Sequence, residues 1–298
     1  MGTIIDHQSF TSHGWRSRHS ALRLAVTAAR VCLEEAGCPP RDLDLLINAG
    51  LYRDRNLGEP ALAALIQEDI GANPEDPHLG AHGTFSFDLA NGVCGVLTAL
   101  QVADGFLRSG AIRHALVVAS DADPGHGLSE DFPFAAAGGA LLCRWTDDES
   151  GLGPVRWANF FDGAEAFRST VSLEDGRNLL RVAQSETMDE QFAVAAAKVA
   201  RECLDIASIG LADVDLIVAA PPHPGFTATL ASHLGFPVDR ICVARDERIH
   251  TAALIAALDD AISEHRVAEG TNLLLVAAGA GITAGAALYR TPTSIPPS

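Results

Sequence analysis

The sequence has one lysine and no long apolar run, and both absences exclude classes of protein. Lys198 lies in AAAKVAR and not in a GK[ST] motif, so the phosphate-binding Walker A loop is absent. The same residue would have to serve any Schiff-base mechanism, and its amphipathic helical surroundings argue against that role. No stretch approaches the ~18 to 20 uninterrupted apolar residues of a membrane span, so we expect no association with a membrane.

A secretory signal and paired cysteines are also lacking. The first residues, MGTIIDHQSFTSHG, contain no basic region followed by an apolar core. The six cysteines form no CxxC pair, and a chain of 298 residues needs no disulfides to fold. We therefore expect a cytoplasmic protein whose cysteines, apart from Cys94, are small buried apolar residues.

The charge balance is strongly acidic. The chain has 38 Asp and Glu against 21 Lys and Arg, a net charge of −17. A negative surface repels phosphate backbones, which argues against nucleic-acid binding. Hydrophobic residues make up 48% of the chain and charged residues 20%, which is typical of a folded globular protein and excludes a disordered one.

One order of helices and strands occurs twice in the sequence. A helical pattern over 20–36 leads to the apolar strand LDLLINAG, and a helical pattern over 190–207 leads to VDLIVAA. A constant offset of 171 aligns four identical pairs: Arg30 with Arg201, Cys32 with Cys203, Asp42 with Asp213, and Asp44 with Asp215. An offset of 158 aligns 95–120 with 253–278 in the same way.

The repeat predicts the fold. Its strands are continuously apolar, as in sheets covered by helices on both faces. Two such α/β halves packed together predict five layers, α/β/α/β/α. The boundary falls near DDESGLG, so we predict one half over residues 1–150 and the other over 151–298.

Three side chains are candidates for chemistry. Cys94 comes where a strand meets the next helix, and the positive end of a helix dipole favours a reactive thiolate. His223 follows the strand LIVAAPPH. His250 lies two residues before position 252, which the offset of 158 makes the equivalent of Cys94. A cysteine with a histidine is the standard requirement for covalent acyl transfer.

Two other patterns are weaker candidates. His78 and His82 are four residues apart, but the glycines and proline around them indicate a loop, so we expect no metal site. The glycine-rich GAGITAG at 279–285 follows a strand, yet the next residues resemble another strand and not the helix of a dinucleotide-binding unit.

The motifs FDLANGVCG, VAAPPH, RIHTAAL and GAGITAG resemble those of the thiolase superfamily, and most of all the 3-oxoacyl-acyl-carrier-protein synthase III group. The resemblance implies the five-layered fold with two pseudo-symmetric halves, a homodimer, Cys94 as nucleophile and His223 as its partner. It also implies an oxyanion hole formed by the backbone N–H groups of Cys94 and Gly281. No cofactor is implied beyond the phosphopantetheine of coenzyme A or of an acyl carrier protein.

The sequence departs from that group at two places. His250 occupies the position of the family's Asn, which produces the Cys-His-His set of elongating ketosynthases. The N-terminal segment is short, so Trp15, Arg16 and Arg18 are the nearest candidates for binding the acyl carrier, with solvated surface charge as the alternative interpretation.

The resemblance implies acyl transfer through a Cys94 acyl-enzyme, followed by decarboxylative Claisen condensation with a malonyl thioester to a 3-oxoacyl product. In this hypothesis both histidines donate hydrogen bonds to the malonyl carbonyl. Two alternatives stay open: a non-condensing acyltransferase acting on an alcohol or amine, and a noncatalytic partner subunit. The acyl donor in either enzyme is an acyl-CoA or an acyl carrier protein.

Overall fold

The computed structural model describes residues 1–12, 20–73, 83–160, 163 and 165–293. The first sheet and its helices come from the first half of the chain. Its elements are β1 (Gly2–Ser12), α1 (Ala21–Glu35), β2 (Leu45–Asn48), α2 (Leu62–Ile70), β3 (Phe85–Asp88), α3 (Gly95–Arg108), β4 (His114–Asp121) and β5 (Ala137–Thr146). The strand order in this sheet is β1-β5-β4-β2-β3.

The second sheet comes from the remainder of the chain. Its elements are β6 (Gly151–Leu152), β7 (Arg156–Asn159), β8 (Phe167–Glu174), β9 (Arg177–Gln184), α4 (Met188–Ala207), β10 (Leu216–Ala220), α5 (Pro224–Leu234), β11 (Ile241–Cys242), α6 (Ala253–Ser263), β12 (Asn272–Gly279) and β13 (Thr283–Arg290). The strand order is β11-β10-β12-β13-β6, with β7 also paired to β13, while β8 and β9 form a separate hairpin.

The repeat predicted from the sequence is present in the fold. An offset of 171 carries β2 onto β10, and an offset of 158 carries β4 onto β12 residue for residue. In each sheet these two strands are parallel neighbours. The two pseudo-symmetric halves are therefore confirmed, whereas the boundary at residue 150 stays a prediction.

The layers follow from where the apolar faces are buried. Helices α3 and α6 lie between the two sheets, and their apolar residues join those of both sheets in one central core. Helices α1 and α2 cover the outer face of the first sheet, and α4 and α5 cover the outer face of the second. This arrangement is the predicted α/β/α/β/α order, because each sheet is covered on both faces.

The middle layer is tightly packed. A Cβ atom added to Gly139 of β5 would lie 2.7 Å from Cγ2 of Ile255 in α6, which is closer than real Cβ atoms approach. The lack of a side chain at Gly139 therefore allows α6 of the second half to pack closely against β5 of the first sheet. None of the helices in the described ranges is both long and apolar enough to cross a membrane.

Candidate active site

Cys94 lies at the start of α3, as the sequence predicts. A 3-10 turn over Gly92–Cys94 leads into the helix, and Gly92 adopts a left-handed φ of +50°. The side chain is fully buried, with Sγ 3.5 Å from the carbonyl oxygen of Thr283. A Cβ atom on Gly279 would lie 3.5 Å from Sγ, so the absence of that side chain keeps the space beside the sulfur open.

The surroundings of Cys94 change its expected acidity. Burial raises the pKa of the Cys94 thiol to about 12, against the lowering that a helix N-terminus exerts. Desolvation disfavours the charged thiolate. The burial that causes this desolvation cannot be read from the sequence pattern around Cys94. The thiol therefore holds its proton at neutral pH, and its attack on a thioester requires a group that accepts that proton.

His250 is buried among aromatic rings. Its ring centroid lies 5.2 Å from that of Tyr52, 4.3 Å from that of Phe134 and 5.7 Å from that of Phe167. Its Nδ1 is 3.9 Å from Oδ2 of Asp121, and this buried nitrogen has no hydrogen-bond partner in the described part of the chain. Burial lowers the pKa of His250 to about 4, so the imidazole is neutral at physiological pH.

Asp121 holds the loop that carries His250. Its Oδ2 accepts hydrogen bonds from the backbone N–H and the hydroxyl of Thr251, at 2.8 and 2.7 Å. Its Oδ1 accepts from the backbone N–H groups of Leu51 and Tyr52, at 3.3 and 3.0 Å. One carboxylate from β4 thus joins a loop of each half. Sequence reasoning missed this role, since Asp121 looks like an ordinary residue of a strand-end turn.

His223 lies immediately before α5 and is held by a carboxylate. Its Nδ1 is 2.8 Å from Oδ1 of Asp189, in the first turn of α4. A Cβ atom on Gly225 would lie 2.5 Å from Oδ2 of Asp189, so the glycine makes room for this contact. Asp189 is 34 residues from His223, and no motif in the sequence links the two.

A cavity of about 260 Å³ brings the predicted residues together. Both histidines line it, as do Gly92, Val93 and Gly279, which lie next to Cys94 in the chain or in space. Cys94 itself is not among the lining residues, but its chain neighbour Val93 is, and so is Gly279, which lies beside its sulfur. Further polar residues line the cavity, two from loops and two from the β8–β9 hairpin: Asn91, Glu247, Ser169 and Gln184. The cavity can thus hold an apolar chain together with a carbonyl group beside two imidazoles.

The two backbone N–H groups predicted to form the oxyanion hole belong to Cys94 and Gly281. Gly281 has a left-handed φ of +68° but does not line the cavity, whereas Gly279 and Ala280 of the same loop do. The backbone N–H of Cys94 donates to the carbonyl of Asn91 at 3.0 Å. The oxyanion hole at Cys94 and Gly281 therefore stays a prediction.

The carrier-binding residues Trp15, Arg16 and Arg18 lie outside the described residues, as do His78 and His82. Within the described ranges, no three or more His, Cys, Asp or Glu side chains are grouped so that they could hold a metal ion. The expectation that the protein uses no metal and no organic cofactor stays a prediction.

Comparisons with known proteins agree with the geometry. The family model described as 3-oxoacyl-[acyl-carrier-protein (ACP)] synthase III matches residues 87–159, and the model of its C-terminal part matches 204–291. The chain is 32% identical to the beta-ketoacyl-[acyl-carrier-protein] synthase III of Thioalkalivibrio sulfidiphilus, over 93% of this chain and 88% of the relative. The protein of the same name from Sphingopyxis alaskensis is 30% identical, with the same coverage.

Solved structures resemble this fold over nearly its whole length. The 3-oxoacyl-(acyl carrier protein) synthase III of Pseudomonas aeruginosa superimposes with a TM-score of 0.82 at 18% identity, over 98% of this chain and 99% of that one. The priming beta-ketosynthase of the R1128 polyketide pathway gives 0.81 at 22% identity, over 98% and 96%. At these identities the likeness establishes the fold alone, and it confirms the predicted thiolase-like fold.

Proposed function

Since the chain belongs to the 3-oxoacyl-acyl-carrier-protein synthase III family, we propose that it transfers an acyl group from a thioester to Cys94 and condenses it with a malonyl thioester. One observation carries the proposal. The thiol at the start of α3 lies beside residues that line a cavity whose two imidazoles come from the other half of the molecule. The product is a 3-oxoacyl thioester, and the second substrate loses carbon dioxide.

In the first step the sulfur of Cys94 attacks the acyl carbonyl carbon. A C–S bond forms to Cys94, and the bond to the sulfur of the carrier breaks. The developing oxyanion needs positioned donors, and an oxyanion hole of backbone N–H groups supplies them. We propose the backbone N–H groups of Cys94 and Gly281 for this role, and Gly279 and Ala280 of the same loop border the cavity.

In the second step a malonyl thioester occupies the cavity with its carbonyl beside the imidazoles. Loss of carbon dioxide produces an enolate, which attacks the acyl carbon on Cys94 and forms a C–C bond. The bond between that carbon and the sulfur of Cys94 breaks, and the released thiolate takes up a proton from solvent. His250 is neutral, and its Cε1 and Nε2 atoms face Gly92, two residues before the nucleophile. With its proton on Nε2, His250 donates a hydrogen bond to the enolate oxygen without bringing a buried charge.

The substrates bring their own phosphopantetheine arm, so the proposal includes no metal and no organic cofactor. The acyl donor is an acyl-CoA or an acyl carrier protein. The net charge of −17 disfavours an acidic carrier unless a local patch of arginine is exposed. Trp15, Arg16 and Arg18 remain the proposed carrier-binding residues. We also propose that the protein is cytoplasmic and forms a homodimer, and sedimentation of the purified protein tests the dimer.

The deciding experiment measures the two steps separately. Intact mass after incubation with a panel of acyl-CoA and acyl-carrier-protein thioesters reports the acyl-enzyme. Labelled carbon dioxide released from a malonyl thioester then reports condensation. We expect a single acyl adduct on Cys94 and robust release of carbon dioxide. An adduct on Cys32 or Cys203 with none on Cys94 would contradict the proposal.

A non-condensing acyltransferase is the second candidate, and the hydrogen bond between Asp189 and His223 favours it. A carboxylate on one imidazole nitrogen is typical of a general base that deprotonates an alcohol or amine. In that case the acyl group leaves Cys94 for the added alcohol or amine, and malonyl thioester releases no carbon dioxide. A noncatalytic partner subunit would form no adduct at all.

A further inference from the structure

We propose that Asp189 is a positioning residue that fixes the proton of His223 on Nδ1, so that Nε2 accepts the proton of Cys94 during acylation. The inference rests on the proposed function, because it concerns the first step of that reaction. Asp189 touches neither substrate nor nucleophile in this proposal. It acts through the ring of His223.

The geometry of the pair determines where the proton lies. Oδ1 of Asp189 is 2.8 Å from Nδ1 of His223, a short hydrogen bond. A carboxylate only accepts, so Nδ1 must donate its N–H. A neutral imidazole carries one proton, and Nε2 is then left with a lone pair. Within the described residues Nε2 makes no hydrogen bond, and the ring lines the cavity.

The local structure is built around this contact. Asp189 lies in the first turn of α4, where the helix dipole favours a negative charge. Pro224 begins α5 directly after His223, and Gly225 leaves the space that Oδ2 of Asp189 occupies. Any side chain at position 225 would displace the carboxylate. Asp189 in α4 and Pro224 and Gly225 in α5 together hold the imidazole of His223 in one orientation.

The second histidine lacks this arrangement. Nδ1 of His250 is 3.9 Å from Asp121, beyond hydrogen-bond distance, and Asp121 is occupied by Thr251 and the loop of Leu51. No side chain or backbone group within the described ranges fixes the tautomer of His250 by a hydrogen bond, so its Nε2 can carry the proton when a carbonyl binds. We therefore assign the acceptor role to His223 and the donor role to His250.

An acceptor is needed because the thiol of Cys94 is buried and protonated. The step balances without a further reactant. The S–H proton passes to Nε2 of His223 while the sulfur forms its bond to the acyl carbon. As the bond between that carbon and the carrier sulfur breaks, the leaving sulfur takes the proton from Nε2, and His223 returns to its neutral form.

The first test compares Asp189→Asn with Glu190→Gln, which removes the same charge from the next, exposed position of the same helical turn. We expect Asp189→Asn to slow acylation of Cys94 at pH 7 by about 10² to 10⁴, the usual contribution of a positioned general base. The deficit should shrink as the pH rises toward 10, because the fraction of thiolate that forms without His223 grows about tenfold with each pH unit. Glu190→Gln should acylate like the wild type. Gly225→Ala, which displaces the carboxylate and leaves its charge, should reproduce the Asp189→Asn profile.

An equal deficit at every pH would identify a merely structural role and overturn the inference, as would wild-type rates in Asp189→Asn. A readout independent of activity is the ¹⁵N spectrum of the histidine side chains, with His223 assigned by comparison with His223→Gln. We expect an unprotonated Nε2 in the wild-type protein and loss of that preference in Asp189→Asn. Should the wild-type protein form no acyl adduct, the proposed function fails, while this spectrum still decides whether Asp189 positions His223.

Discussion

The two halves of the molecule place different side chains at equivalent helix starts. In the first half, α3 begins at a thiol whose acidity is changed by burial and by no charged group of the described residues. In the second half, α6 begins just after His250, and α5 begins just after His223. The duplicated fold thus directs the N-termini of α3 and α6, in the middle layer, and of α5, in an outer layer, toward one cavity. The nucleophile and its proposed proton partners come from different halves, so the site exists only when the halves are packed together.

The two histidines of the second half also differ from each other. The side chain of His223 is 25% exposed and is hydrogen-bonded to a carboxylate, whereas that of His250 is 8% exposed and surrounded by aromatic rings. Burial without a hydrogen bond favours the neutral imidazole of His250. A hydrogen-bonded carboxylate instead orients the ring of His223. Residues of one type at one cavity can therefore take different parts in a reaction.

The largest expected effect comes from removing the thiol of the first half. Cys94→Ala should form no acyl adduct, because the equivalent helix start in the second half carries no sulfur. Intact mass after incubation with acyl thioesters measures this directly. Cys203→Ala, which removes a buried thiol from the outer layer, should acylate normally. An adduct that persists in Cys94→Ala would show that the first half does not supply the nucleophile through Cys94.

Removing His250 should separate the two steps. In His250→Ala the acylation of Cys94 should change by no more than a few-fold, while release of carbon dioxide from malonyl thioester should fall by about 10² to 10³, the usual cost of one lost donor to a developing oxyanion. His250→Asn should retain more activity than His250→Ala, because its amide can donate. Undiminished release in His250→Ala would rule out the donor role.

The stability of the protein should depend on pH through His250. The pKa of His250 is about 4 in the folded chain and ~6.5 in an unfolded one. Between these values the unfolded state binds more protons, so the free energy of unfolding rises with pH. The contribution is fully present above pH 6.5 and decreases by up to about 3 kcal/mol as the pH falls to 4.

Urea unfolding of the wild type and of His250→Asn across this range measures the effect. The free energy of unfolding of the wild type should fall more steeply with acid than that of the variant. Parallel curves would show that His250 titrates alike in both states and is not buried as a neutral ring.

The smallest expected effect concerns the packing that joins the halves. Gly139→Ala should lower the free energy of unfolding by about 1 to 3 kcal/mol, as overpacking typically does, because the new Cβ meets the branched side chain of Ile255. Gly105→Ala is the matched control. Gly105 is exposed within α3 with open space around it, so this change should stabilise the protein by up to about 1 kcal/mol. Denaturant unfolding at pH 7 compares the two, and equal effects would contradict the tight contact between β5 and α6.

The architecture could be predicted from the sequence because its signals are local. Helical periodicity and continuous apolar strands depend on near neighbours in the chain, and two constant offsets between them reveal the duplication. The start of α3 at Cys94 and the positions of His223 and His250 at helix starts follow from the same patterns. The sequence could not place Gly279 and Ala280 beside the cavity in preference to Gly281, because the path of that loop depends on what packs against it.

Only the tertiary structure decided the surroundings of the reacting groups. Asp189 and Asp121 are 34 and 130 residues from the groups they bind, and no pattern in the sequence marks those pairs. The sequence by itself determined that a thiol begins a helix, while burial determined that the thiol keeps its proton. The physical reason is that secondary structure follows from short-range backbone preferences, whereas hydrogen bonds between elements and the local dielectric arise only when the helices and sheets have packed.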